Sequence, residues 1–228
     1  MLSASVPPIV AKISQEYRRT QRGIVAVRYH RVFDVHAGPR RQHEDLLFDG
    51  IYVDGTLVKV KVLHYTIGRK NADTKQVAEV VNSYEHPKPG DVFEAPWDPR
   101  FMTEYRFTPT PDRTIRFTAL DTSYGHGNGS FTYDAGGNVV SYAYSPTVLP
   151  AHAKTATVQG LRSQTLANYW AVTSESQSYS GHYSIFAAAA TLAVTQSDFR
   201  RFANLASALS FVAADASVAA APVSIGRR

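Results

Sequence analysis

The sequence contains no cysteine. This absence excludes disulfides, thiol nucleophiles and zinc sites built from thiolates. Long apolar runs are missing as well: the longest candidate, "SIFAAAATLAVT", is much shorter than the roughly 18 residues that a membrane-spanning helix needs. The sequence therefore predicts no transmembrane helix.

A recognisable signal peptide is also missing, since Met1 leads directly into "LSASVPPIV" without a charged segment and an apolar core. Two interpretations of the location stay open. One is a cytoplasmic protein. The other is a mature periplasmic or secreted protein to which an initiator methionine was added, and the small residues of "LSASVPP" favour it.

Positive charge is spread thinly along the chain. Its 228 residues carry a net charge of +5, with a pI near 9.4. Nucleic-acid-binding proteins usually concentrate their basic residues in one patch or motif. Here they are scattered, so no nucleic-acid partner is expected. The composition is 44% hydrophobic and 19% charged, which is typical of a globular domain.

The start of the chain predicts an amphipathic helix that ends around 21–23. Ser5 is a candidate cap, prolines occupy the first turn, and apolar residues recur with helical spacing: Val6, Ile9, Val10, Ile13 and Tyr17.

The pattern then changes to a period of two, which predicts strands. In "GIVAVRYHRVFDVHAG" the odd positions are apolar except for Arg31, and Asp54-Gly55 is a strong hairpin signal. Long strands with one apolar face indicate an antiparallel sheet with a solvent-facing side.

A second helix is predicted from Asp73 to Tyr84, followed by the proline-rich stretch "HPKPGDVFEAPWDPRF". About seven short strands come next, and a last helix is predicted from Ser197-Asp198. The predicted fold is mainly β with helices (α+β): a single curved antiparallel sheet, or an unclosed β-barrel, covered on its concave face by helices. We expect one domain over residues 1–212 and a flexible tail over 213–228.

No motif for catalysis or metal binding emerges. His30 and His36 lie about 20 Å apart along one strand, Glu44 and Asp45 face opposite ways, and "SYGHGNGSF" lacks the lysine of a phosphate-binding loop. The sequence predicts no metal and no cofactor. A hydrolase with an unrecognised site ranks third among the interpretations.

The order of elements, with the helix "PPIVAKISQEYRRTQ" before long strands and an early "DG" hairpin, resembles the LolA/LolB-like superfamily of periplasmic lipoprotein carriers and lipid-binding proteins. The resemblance implies a half-barrel whose helices cover an apolar cavity for acyl chains, with a lipid, acyl chain or lipoprotein as partner. Small alanines in "AAAATLA" would leave space in such a cavity. An interaction or sensor domain without a small ligand is the alternative.

Candidate ligand-binding residues are the large side chains on the predicted apolar face and in the proline-rich stretch, together with the charge among them: Tyr29, Arg31, Phe33, Phe93, Trp97 and Phe101. A buried charge needs a partner, so Arg31 must meet a carboxylate, a helix C-terminus or a head group, unless a bulge turns it to solvent. Trp97 should either seal the core or line the cavity mouth.

Overall fold

The structure, a computed structural model, describes residues 5–69, 75–78, 84–85, 95–123, 125–149 and 151–214. Its strands form one 12-stranded antiparallel sheet, in the order β4-β3-β2-β1-β12-β11-β10-β9-β8-β7-β6, with β5 beside β3. The strands are β1 (Ile24–Ala37), β2 (Arg40–Val53), β3 (Thr56–Arg69), β4 (Lys75–Ala78), β5 (Tyr84–Glu85), β6 (Tyr105–Pro109), β7 (Thr114–Ala119), β8 (Gly127–Tyr133), β9 (Val139–Pro146), β10 (Ala153–Leu166), β11 (Tyr169–Tyr183) and β12 (Phe186–Phe202).

The sheet is open, because within the described ranges no ladder joins its end strands β4 and β6. Two helices flank it, α1 (Pro8–Thr20) and α2 (Leu205–Ala214). The prediction of a mainly β protein built on one open antiparallel sheet is confirmed. No helix in the described part of the chain combines the length and hydropathy needed to cross a membrane.

Local signals near the N-terminus give the predicted elements. Proline starts α1, although Pro7 rather than Ser5 takes the cap position, and the helix closes with Gln21 as its C-cap. Asp54 (φ 48°) and Gly55 (φ 78°) both adopt the left-handed conformation that a tight hairpin turn requires. They join β2 to β3 as predicted.

The predicted helix from Asp73 to Tyr84 is wrong where the structure describes it. Residues Lys75–Ala78 form β4, which pairs antiparallel with β3, and Tyr84–Glu85 form β5. The rest of that span lies outside the described residues. Hydrogen bonds to the open edge of β3 outweigh the helical spacing of the valines, which are themselves β-branched and favour strands.

The last helix begins later than predicted. Ser197 and Asp198 belong to β12, where Asp198 has a left-handed φ of 51° beside a register shift in the β1–β12 ladder. The cap of α2 is Asn204, whose Oδ1 accepts a hydrogen bond of 2.8 Å from the Ser207 backbone N–H. Since α2 ends at Ala214, it extends past the predicted domain boundary at 212, and the predicted tail beyond it lies outside the described residues.

The two helices pack on opposite faces of the sheet. Val10 and Ile13 of α1 join the largest apolar cluster, with Trp97. Ala208 of α2 packs with Ala26 instead. Side chains alternate along a strand, so Ala26 faces away from Val25, Val27 and Tyr29, which form a third cluster. The expectation that the helices cover one face therefore fails for α2.

A row of charged side chains lies beneath α2, on neighbouring strands. Arg28 of β1 is paired with Asp49 of β2, which is paired with Lys61 of β3. The Arg28 guanidinium donates to both carboxylate oxygens of Asp49, over 3.0 and 3.1 Å. Buried Lys61 donates to the Val212 carbonyl over 2.7 Å. This carbonyl belongs to the last turn of α2, where the helix dipole favours a positive charge.

Candidate functional site

A cavity of about 580 Å³ lies on the face of the sheet that α1 covers. Aliphatic side chains from five strands line much of it, including Val27, Leu57, Val158, Val172, Leu192 and Val194. Seven tyrosines add aromatic surface and hydroxyl groups: Tyr17, Tyr29, Tyr52, Tyr142, Tyr144, Tyr169 and Tyr179. The lining is therefore apolar with a few hydrogen-bonding groups, which is typical of small-molecule sites.

The strand register explains why distant residues meet in this lining. Directly paired residues project on the same face of a sheet. One such row runs Arg31–Val194–Glu175–Gly160–Tyr142 across β1, β12, β11, β10 and β9. It sets two charged side chains among apolar neighbours.

Gly160 lets Tyr142 cross a strand within this row. A Cβ at Gly160 would lie 2.1 Å from Tyr142 Cζ, so no larger residue fits under the ring. The Tyr142 hydroxyl thereby reaches across β10 and donates a hydrogen bond to Glu175 Oε2. Glu175 also accepts a bond of 2.7 Å from the Gln177 side chain. Its carboxylate is thus supplied with donors from the protein.

The tyrosine hydroxyls of the cavity are held neutral. Burial, with the nearby Glu175 carboxylate, raises the pKa of Tyr142 far above its usual range. Burial also raises the pKa of Tyr52 to about 12, and its hydroxyl is hydrogen-bonded to that of Tyr29. These groups consequently act as hydrogen-bond donors and acceptors at ordinary pH, without adding charge.

Arg162 is the more deeply buried of the two arginines in the lining, at 6% exposure. Its guanidinium donates to the backbone carbonyls of Trp170 (3.0 Å) and Val139 (3.5 Å). Its Cζ lies 5.0 Å from the centre of the Tyr17 ring on α1, a cation–π contact. Burial lowers the pKa of Arg162.

His126 lies at another part of the cavity wall, buried between two carboxylates. Its Nδ1 is 2.6 Å from Asp121 Oδ1, and its Nε2 is 2.7 Å from Glu104 Oε2. Burial alone would lower the pKa of His126, but the hydrogen bonds to Asp121 and Glu104 outweigh it and raise the pKa. The folded protein therefore favours the doubly protonated imidazolium, which donates to both acids.

We expect His126→Gln to cost more unfolding free energy at pH 5.5 than at pH 9. A raised pKa in the folded state stabilises the fold below the unfolded pKa of about 6.5, and the contribution is lost as the pH rises through the folded value. Urea unfolding at the two pH values measures it. The control is His43→Gln, which removes an exposed histidine bonded to Asp34. A loss at His126 that is equal at both pH values would contradict the assignment.

The predicted ligand-binding residues separate into three groups. Tyr29, Arg31 and Trp97 line the cavity. Phe33 is half-buried on β1 and Phe101 packs against the largest apolar cluster, but neither is part of the lining. Phe93 lies outside the described residues. The alanines at 187–190, expected to leave space in the cavity, do not line it either, because β12 contributes Leu192, Val194 and Gln196.

Trp97 belongs both to the core and to the cavity wall. It is 2% exposed, and its ring meets those of Phe131 at 5.0 Å and Tyr142 at 5.4 Å. The chain segment that follows Trp97 is held to the sheet by Arg100. This residue pairs with Asp98 and donates a 2.8 Å hydrogen bond to Thr56 in the β2–β3 hairpin.

Sequence reasoning missed Arg162, Glu175, Tyr142 and His126. The alternation of "TATVQGLRS" contains the signal for Arg162, since Ala156, Val158, Gly160 and Arg162 share the buried face of β10. His126 had no such signal, because its partner Glu104 lies in a 3₁₀ helix before β6, far from it in sequence. Across the described ranges, no three His, Asp or Glu side chains are grouped as metal ligands.

Sheet and cavity together define an open antiparallel half-barrel with one helix over an apolar pocket. No family model and no curated sequence matches the chain. Among solved structures, it is similar to a LolA superfamily protein from Nitrosomonas europaea (8% identity, TM-score 0.38, covering 87% of this chain and 96% of that one). It is also similar to a putative outer membrane lipoprotein-sorting protein domain from Vibrio parahaemolyticus (11%, 0.43, 86% and 93%).

A third similar structure is lipovitellin, described for its lipid–protein interactions (8% identity, TM-score 0.42, 81% of this chain and 26% of that one). The predicted resemblance to LolA-like proteins is thus confirmed as a similarity in structure. With TM-scores below 0.5 it is a likeness of general architecture and defines no ligand.

Proposed function

We propose that this chain is a non-enzymatic, extracytoplasmic protein that binds a lipid or another hydrophobic ligand in the cavity under α1. The cavity itself carries the proposal. Its volume of about 580 Å³ lies within the range of roughly 300–1,000 Å³ that ligand sites occupy. Each methylene buried in such a lining contributes about 0.8 kcal/mol. The extracytoplasmic location follows the resemblance to periplasmic lipoprotein carriers.

Among the candidate residues, we assign the ligand contact to Tyr29, Arg31 and Trp97, which line the cavity. Phe33 and Phe101 then contribute indirectly, by packing and not by contact with the ligand. Helix α1 covers the bound ligand in this proposal, because the buried face of α1 packs in the apolar cluster that contains Trp97.

Native mass spectrometry of freshly purified protein tests the proposal, and we expect co-purified lipid. A second measurement uses the neutral apolar dye N-phenyl-1-naphthylamine, whose fluorescence rises in apolar surroundings. Val194→Trp fills the middle of the cavity lining and should weaken dye binding about tenfold, equivalent to about 1.4 kcal/mol.

The matched control is Thr195→Trp, which places the same side chain one residue further along β12, on the exposed face. It should bind the dye as the unmodified protein does. If the unmodified protein carries no lipid and binds no dye, the proposal fails.

An interaction or sensor domain is the second candidate, and one observation favours it. The turn between β11 and β12 presents an apolar tip, where Ile185 is 85% exposed and is flanked by the partly exposed Tyr183 and Phe186. Exposed apolar groups that cluster in this way mark interaction sites. Absence of both lipid and dye binding would leave this candidate in place.

A further inference from the structure

Arg162 is a buried positive charge without a carboxylate partner in the described part of the chain. Its contacts there are two backbone carbonyls and the face of one tyrosine ring. A guanidinium offers five N–H donors in a planar fork, so two hydrogen bonds, of 3.0 and 3.5 Å, leave three of its donors unused. Burying a charge in this way is unfavourable unless an anion accompanies it.

The fold directs this charge toward the cavity. Arg162 follows Val158 and Gly160 on the inward face of β10, and the β10–β11 register shifts between Leu161 and Arg162. The guanidinium lies among cavity-lining groups and not at the solvent-facing side of the sheet. Arg31, the other arginine of the lining, is only half-buried and can be hydrated.

Three tyrosines accompany Arg162. Tyr17 of α1, Tyr142 of β9 and Tyr169 of β11 all line the cavity and interact electrostatically with it, but the Tyr142 hydroxyl already donates to Glu175. Neither the Tyr17 nor the Tyr169 hydroxyl forms a hydrogen bond with another residue of the described part of the chain. One guanidinium fork and two neutral O–H donors form a set that matches the oxygens of a carboxylate or a phosphate.

The cavity's own carboxylate does not satisfy this set. Glu175 is bonded to Tyr142 and Gln177, and it forms no ion pair with Arg162 among the described contacts. The guanidinium of Arg162 and the carboxylate of Glu175 are thus at different places along the cavity wall. The guanidinium lies beside Tyr17, and the apolar residues Val158 and Val194 line the same cavity.

We propose that the cavity binds a single-chain amphiphile with an anionic head group, a carboxylate or a phosphate, which pairs with Arg162. The hydroxyls of Tyr17 and Tyr169 donate to the same head group, and the hydrocarbon tail lies along the aliphatic wall. This inference rests on the proposed function and adds the charge and position of the head group to it.

Calorimetric titration of delipidated protein at pH 8 tests the inference with four probes of one tail length: dodecanoate, dodecyl phosphate, dodecanol and dodecyltrimethylammonium. We expect at least one of the two anions to bind about tenfold more tightly than dodecanol, and the cation to bind most weakly. The ratio of the two anions identifies which head group the site favours. Equal binding of the anions and dodecanol overturns the inference while the proposed function stands. No binding of any probe overturns both.

Arg162→Met removes the charge and keeps an apolar side chain of similar length. It should weaken binding of the favoured anion about tenfold and leave dodecanol binding within about twofold, a change in selectivity that a purely structural role would not produce. The matched control is Arg116→Met, which removes an exposed arginine of β7 that is not part of the cavity lining. An equal loss at Arg116 would overturn the assignment to Arg162.

Arg162→Lys provides a second variant should the methionine variant fold poorly. Lysine keeps the charge but lacks the planar fork. It should retain the preference for the anion over dodecanol with reduced affinity. A lysine variant with no preference for the anion over dodecanol would contradict pairing of the head group by charge. Unchanged affinity for the anion in both Arg162 variants overturns the proposal.

Discussion

Trp97→Ala should destabilise the protein by about 3–5 kcal/mol, the range found for large aromatic residues removed from a core. The indole is 2% exposed and packs edge-to-face on Phe131. Its neighbours Phe131 and Tyr142 sit on sheet strands, so they cannot move inward to fill the space that the indole leaves. Urea unfolding followed by circular dichroism measures the loss without relying on tryptophan fluorescence.

Trp170→Ala is the matched control, because Trp170 is the second tryptophan of the chain and is less buried. It should cost clearly less than Trp97→Ala. A loss at Trp97 below about 1 kcal/mol, accompanied by altered dye uptake, would instead identify Trp97 as a gate at the cavity mouth. A Trp170→Phe protein offers a further check, since emission typical of a water-exposed indole would contradict both roles.

Asp49→Ala should cost a similar amount, about 3–5 kcal/mol, because it removes a buried carboxylate that pairs with Arg28 and lies beside the buried Lys61. Asp49 lies between Arg28 and Lys61 in the row beneath α2 and is 3% exposed. Without its carboxylate, the positive charges of Arg28 on β1 and Lys61 on β3 flank an apolar side chain on β2. Chemical unfolding at neutral pH measures the effect.

Asp45→Ala serves as the control for this prediction. Asp45 pairs with His30 on an exposed part of the sheet, at 2.9 Å, and exposed ion pairs contribute about 0–1 kcal/mol. We expect little change there. If the two alanine variants unfold at the same urea concentration, the charged row is not a stabilising feature of the interface with α2.

Elements that follow from local chemistry could be predicted from the sequence. The Asp54-Gly55 turn needs left-handed backbone at both positions, and few residue pairs supply it as readily. The helical stripe from Val6 to Tyr17 packs against the largest apolar cluster as expected, with Val10 and Ile13 fully buried. The alternation along β1 likewise assigned Tyr29 and Arg31 to the inward face, and both line the cavity.

Elements that depend on pairing with distant strands could not be predicted in this way. The valines around Val77 have helical spacing, yet Lys75–Ala78 form a strand that pairs with the open edge of β3. Ser197-Asp198 has the composition of a helix cap, yet β1 continues the ladder past it to Phe202. In both places backbone hydrogen bonds to a neighbouring strand override a local preference.

The candidate site contains residues of both kinds, some that local sequence could predict and some that depend on strand pairing. The rule that identified Arg31, a charge on an apolar strand face, applies equally to Arg162 on β10, where it went unused. Glu175 and Tyr142 belong together only because Gly160 lets one ring cross a strand. That contact requires the register of three strands, which no single stretch of sequence contains.

The strand order has a consequence for how the chain folds. Along the path from β6 to β12, and from β1 to β4, each described strand lies beside the one that precedes it in sequence, so these pairings close short loops. The β1–β12 seam differs, since it joins Ile24 to Phe202 across nearly the whole chain. Loop-closure entropy grows with the length of chain enclosed, and distant contacts slow folding. The two meanders can therefore form as separate units, and zipping of the seam between them becomes the slow, cooperative step that completes the cavity.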